Sequence, residues 1–199
     1  MTKYCFRILG LLASLSLCGI AHATITDFEA ILSGPAESPS NSSLGTGFAD
    51  VVYDSVAQTL SLNVTFSGLT DVTTASHIHA ATASPGTGTA GVATTTPFFA
   101  GFPIGVTSGS YSGVLDLTLA SSFNPAYVTA QGSVANADAA LIQAMFDGKA
   151  YLNIHTKAFP GGEIRGFLAV PDSAMTAALL LLGLFAMVGF ARYQRVPVS

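Results

Sequence analysis

The chain has 199 residues, 50% of them hydrophobic and only 9% charged. Residues 24–169 hold three of its 7 basic side chains (Lys149, Lys157 and Arg165) and 10 of its 11 acidic ones, a net charge of −7 for that segment. Such a surface repels polyanions, which argues against nucleic acid and anionic lipid as partners of the segment.

Lys3 and Arg7 flank the start of an apolar run from Ile8 to Ala21, and Ala21-His22-Ala23 offers a small-x-small cleavage site. Residues 1–23 therefore read as a signal peptide, cut by signal peptidase between Ala23 and Thr24. Cys5 and Cys18 are the only cysteines and both fall in that segment. The exported domain then has no disulfide and no thiolate chemistry, and its own core must stabilise it.

Residues 24–169 have the length of one domain. "ITDFEAILSG" opens it as a strand. In "TLSLNVTFS", Leu60, Leu62, Val64 and Phe66 alternate with Ser61, Asn63, Thr65 and Ser67, the pattern of a strand with one wet face. "ASHIHA" follows, and in an extended stretch His77 and His79 share a face while Ile78 takes the other. The Thr, Gly, Ala and Pro-rich run "ATASPGTGTAGVATTTP" is a long connection. "YSGVLDLTLA" is a second alternating strand through Leu115, Leu117 and Leu119. "NADAALIQAMFDGK" predicts one short helix, with Asn136 as N-cap, an apolar face of Leu141, Ile142, Met145 and Phe146, and Gly148 as its stop. "YLNIHT" and "EIRGFLAV", joined through Pro160-Gly161-Gly162, close the domain as strands. The whole predicts a mainly β fold, an antiparallel sandwich with one short helix.

The ionisable groups concentrate near that last turn. If Leu152 and Ile154 point to the core, His155 shares the opposite face with Tyr151 and Asn153, and pairing of the two strands adds Glu163 and Arg165 to that face. Two readings of this polar cluster stand side by side. In one, Glu163 and Arg165 form an ordinary ion pair, worth about 0–1 kcal/mol if exposed, and the histidines are structural. In the other, His77, His79 and His155 converge as ligands of a divalent metal such as zinc or copper, in a metal-binding module or a metalloenzyme. No nucleophile elbow, phosphate-binding loop, His-Glu-x-x-His or dinucleotide fingerprint is present in the sequence, so no conventional hydrolase or nucleotide enzyme is expected.

The chain ends in three parts: Val170-Pro171-Asp172-Ser173, an uncharged apolar stretch over about 174–191, and a basic tail with Arg192 and Arg195. The stretch is long enough to span a bilayer, with the basic tail inside and the domain outside. This layout, covering residues 170–199, resembles the PEP-CTERM class of bacterial sorting signals and most closely its VPDSG-CTERM variant, with Ala174 where the variant has Gly. The resemblance implies a membrane-anchored protein that an exosortase cuts near the motif and passes to the cell surface or beyond.

A second resemblance covers the domain. "FEAILSGPAESP" with "GTGFADVVYD", then "LSLNVTFSGLTDVTTASHIHAA", then "GKAYLNIHTKAFPGGEIRGFL" resemble the CHRD (chordin-like) domain. It implies an extracellular β-sandwich used for binding an extracellular ligand or for surface architecture, without catalysis. It marks His77, His79, His155, Glu163 and Arg165 as motif positions and assigns them no role.

Overall fold

Where apolar and polar residues alternate, the chain can hydrogen-bond sideways and bury one face; seven strands form in the computed structural model, which describes residues 24–171. The strands are β1 (Ile25–Ser33), β2 (Thr46–Asp54), β3 (Thr59–Ser67), β4 (Thr73–His79), β5 (Gly109–Asp116), β6 (Tyr151–Thr156) and β7 (Ile164–Phe167). Two helices, α1 (Pro125–Gln131) and α2 (Val134–Phe146), lie between β5 and β6.

All seven strands join one antiparallel sheet in the order β4-β6-β7-β1-β2-β3-β5. The expected sandwich of two sheets is corrected to a single curled one. Ile78 of edge strand β4 and Tyr111 of the opposite edge strand β5 belong to the same core as Phe28 of β1. A flat sheet would hold those edges roughly 29 Å apart, at about 4.8 Å per strand. Curling brings both around one interior.

The connection after β4 closes the remaining gap. Phe98 bridges to Ser76 of β4, while Phe99 stacks on Tyr111 of β5 at 5.7 Å and Phe102 on Phe66 of β3 at 5.5 Å. Along β3 the expected alternation holds, with Leu60, Leu62, Val64 and Phe66 all buried. The pattern read through Leu119 stops earlier. β5 ends at Asp116, whose carboxylate accepts from the Thr118 N–H and hydroxyl, and that turn leaves Leu119 half exposed.

The helices also differ from the expectation of one. α2 begins a turn earlier than Asn136, because the Ser133 hydroxyl accepts from the Asn136 N–H at 3.1 Å and so serves as N-cap. Leu141, Ile142 and Met145 pack into the core, and exposed Phe146 sets its ring edge-on to Phe28 at 5.1 Å. α1 was not expected. Asn124 caps it by accepting from the Ala126 N–H, Pro125 takes its first position, and Gly132 ends it.

The signal peptide, the Asp172 and Ser173 positions of the sorting motif and the apolar stretch over 174–191 lie outside the described residues. Ala23 does too, whereas Thr24 donates its N–H to the Ser55 hydroxyl and Val170 packs partly buried against the core. Among the described residues no helix is long and apolar enough to cross a membrane.

Candidate metal centre

The two-residue period of β4 sends Ile78 into the core and His77 and His79 to the other face. β6 is the neighbour of β4, in a register that sets Asn153 opposite His77 and His155 opposite Ala75. His155 is therefore the diagonal neighbour of His77. Ring centroids lie 4.7 Å apart for His77–His79 and for His77–His155, and 6.0 Å for His79–His155. One ligand nitrogen from each ring falls within 4.8 Å of the others. The sequence left open whether the two histidine-bearing strands meet; the structure brings the three histidines together on one face.

Their hydrogen bonds fix which nitrogen is free. Each Nδ1 faces a backbone carbonyl: Pro97 at 3.3 Å for His77, Ala90 at 2.8 Å for His79 and Pro160 at 3.0 Å for His155. A carbonyl can only accept, so each Nδ1 carries the proton and each Nε2 keeps a lone pair. Three different loop positions make this arrangement, two in the connection after β4 and one in the Pro-Gly-Gly turn. The Nε2 atoms of His79 and His155 are buried without a hydrogen-bond partner. A buried, unpartnered acceptor costs free energy, and a bound metal would remove that cost at both atoms.

Burial keeps the rings neutral. It lowers the His77 pKa to about 3, helped by repulsion from His155 and His79, and lowers His79 to about 4; His155 also lies below the ordinary histidine value for the same reason. Neutral imidazole is the form that ligates a metal.

The rest of the polar face was only partly expected. Tyr151 stacks flat on His79, at 4.7 Å and 5°, and the Arg165 guanidinium lies 4.6 Å from the centre of the Tyr151 ring. Arg165 donates from Nε to the Ala36 carbonyl at 2.6 Å and from Nη1 to the Gly88 carbonyl at 2.9 Å. Its carboxylate neighbour is Glu37, at 3.7 Å. Burial pushes Glu37 up to about 7, and Arg165 and the Ser38 N–H draw it only part of the way back.

The predicted Glu163–Arg165 ion pair is not formed. Glu163 precedes β7, and its carboxylate accepts from the Ser43 and Thr156 hydroxyls and the Thr70 N–H, each at 2.6 Å. Those partners draw it away from Arg165, which instead sits opposite Asn153. Sequence reasoning missed Glu37, although "GPAESP" was a motif stretch. It placed Tyr151 and Asn153 on the right face but gave them no part.

Gly162 shows how tightly this face is built. Its φ of +128° lies where only glycine is at ease, and an added Cβ would sit 2.6 Å from Glu37 Oε1 and 2.5 Å from Asn153 Nδ2. Gly162→Ala should cost about 3 kcal/mol of stability. A thermal unfolding change within about 0.5 kcal/mol would mean that the turn re-forms without strain.

The pH dependence of the metal-free protein follows from the same groups. Unfolded histidines protonate near 6.5, whereas His77 and His79 do so in the fold only near 3 and 4. Below 6.5 the unfolded chain thus binds more protons, and stability falls with pH down through the folded values. Glu37 works oppositely, from 4.5 unfolded to about 7 folded, so its contribution is present below 4.5 and is lost as pH rises through 7. His77 and His79 outweigh one carboxyl between pH 4.5 and 6.5, where unfolding should take up about one proton or more, and the lowered His155 adds in the same direction. Denaturant midpoints measured across that range should rise with pH, and a flat or falling trend would contradict the buried neutral histidines.

A family model for the CHRD domain matches residues 28–168. No curated protein and no solved structure matches the chain.

Proposed function

The chain belongs to the CHRD domain family, and on that premise we propose that it is an exported surface protein whose domain binds zinc or copper through His77, His79 and His155. Membership in the family points to a noncatalytic binding or structural domain, and the metal centre is the element that would do the binding. One observation carries this reading. Three buried imidazoles, each with Nδ1 tied to a backbone carbonyl, keep an Nε2 lone pair, and a ligand nitrogen of each lies within 4.8 Å of the others. Metal-ligating histidines bond through one ring nitrogen and are oriented by a hydrogen bond from the other.

With a metal in place, His77, His79 and His155 would be its ligands, and the ion would supply a positive charge among three neutral imidazoles. The chain's own residues orient and shield. Tyr151 fixes the plane of His79 by stacking on it, and its hydroxyl accepts from the Ala90 N–H at 3.3 Å, beside the carbonyl that orients His79. The connection after β4 covers the rings, so that the histidines are only 6–8% exposed.

The remainder of the proposal follows from the sequence. Signal peptidase releases residues 1–23, the stretch over 174–191 holds the protein in the membrane with its domain outside, and an exosortase cuts near Val170–Ser173 to pass it to the surface. The domain's charge of −7 disfavours nucleic acid as a partner.

Nitrogen-resolved NMR of the histidine rings tests the centre. Three Nδ1-protonated tautomers are expected, with zinc or Cu(I) shifting the Nε2 signals most. Rings that are Nε2-protonated, or unmoved by both zinc and Cu(I), would contradict it. Surface labelling of cells before and after loss of the exosortase tests the export route; a domain that stays cytoplasmic would end that part.

A further inference from the structure

The three ligands of the proposed centre are all neutral, and among the described residues no carboxylate joins them. The oriented partners of the rings are the backbone carbonyls of Pro97, Ala90 and Pro160, where a carboxylate would raise ligand basicity and offset a metal's charge. Of the charged groups nearby, Arg165 is a cation that shares Tyr151 with His79. Glu163 is occupied by Ser43, Thr70 and Thr156. Glu37 is paired with Arg165 at 3.7 Å and is not among the groups whose ligand atoms converge with the histidines. Among the described residues no fourth His, Cys, Asp or Glu joins the histidine group.

Resting on the trihistidine centre proposed above, we infer that its ion is copper in the cuprous state. Imidazole serves copper and zinc alike, so selection falls to charge and coordination number. The cost of burying an ion grows with the square of its charge, so a monovalent ion pays roughly a quarter of the desolvation penalty of a divalent one. Beside three histidines zinc still takes a fourth ligand, usually a water; cuprous copper is satisfied by three nitrogens. The nearby guanidinium adds repulsion that a second positive charge would double.

Asn153 provides the control. It is 2% exposed, faces His77 across the β4–β6 pair and leaves its Oδ1 without a partner. Asn153→Asp would supply the missing carboxylate at nearly constant size.

The test is an anaerobic titration of the untagged, metal-stripped full chain with Cu(I) against bicinchoninate, alongside Zn(II) and Cu(II) against chromophoric chelators. Cu(I) should be held at least about 1,000-fold more tightly than Zn(II), and the loaded protein should stay silent in electron paramagnetic resonance in air. Asn153→Asp should narrow that ratio by about tenfold or more. Zinc bound as tightly as Cu(I), or a ratio unmoved by Asn153→Asp in a folded variant, would overturn the cuprous assignment and leave the metal centre standing. Failure of all three ions to bind would overturn the centre itself.

Discussion

Replacing Glu163 with alanine should cost the domain about 4 kcal/mol, more than any other single polar substitution in it. The carboxylate is wholly buried, and three short hydrogen bonds reach it from three separate places. Ser43 lies before β2, Thr70 between β3 and β4, and Thr156 at the end of β6. Burial alone would raise its pKa, but the hydroxyls of Ser43 and Thr156 and the Thr70 groups together outweigh it and hold Glu163 below the ordinary value. Its stabilisation is therefore present at neutral pH and lost as pH falls through the folded value. Hydrogen bonds to a charged acceptor are worth about 1.5–3 kcal/mol each. Alanine also strands the Ser43 and Thr156 hydroxyls, both buried. Glutamine keeps one oxygen but turns an NH2 toward donors, so about half the loss is expected for Glu163→Gln. Denaturant unfolding reads both, and a loss below about 1 kcal/mol for the alanine variant would mean that Glu163 does not latch the loops together.

The second large effect concerns binding. His79→Ala and His155→Ala should each weaken metal affinity by about 1,000-fold or more, since each removes one of three donors, and even oriented partners of ligands cost 10–100-fold. The metal-free protein should change much less, by about 1 kcal/mol, because each histidine now carries a buried Nε2 with no partner. Metal should raise the unfolding temperature of the unaltered protein and leave both variants unmoved. If the histidines were only packing, the pattern would invert: the variants would be clearly destabilised, and metal would have no effect on any of them.

Much of this was legible from local pattern. The alternation in β3 predicts its buried face, and the two-residue period places His77 and His79 together without knowledge of the fold. The parity of "YLNIHT" likewise assigns His155 to the face of Tyr151 and Asn153. What local pattern cannot carry is pairing over long sequence distances. β4 meets β6 across the whole connection and both helices, and this pairing makes one curled sheet instead of two packed ones. The partners of Glu163 lie as far as 120 residues away, so an ion pair with nearby Arg165 was the natural local expectation. The carbonyls of Pro97, Ala90 and Pro160 have no signature at all, since every residue carries a carbonyl. α1 had one, Asn124-Pro125 with Gly132 after it, but seven residues are too few for a helical period to show.

Metal analysis by mass spectrometry, on untagged protein purified without chelators, with His77→Ala beside it, tests the central claim most directly. About one copper or zinc ion per chain, absent from the variant, is the expected result for a three-histidine centre. No metal in either protein, even after incubation with zinc and with copper, would contradict it and leave the histidines as part of a structural polar face.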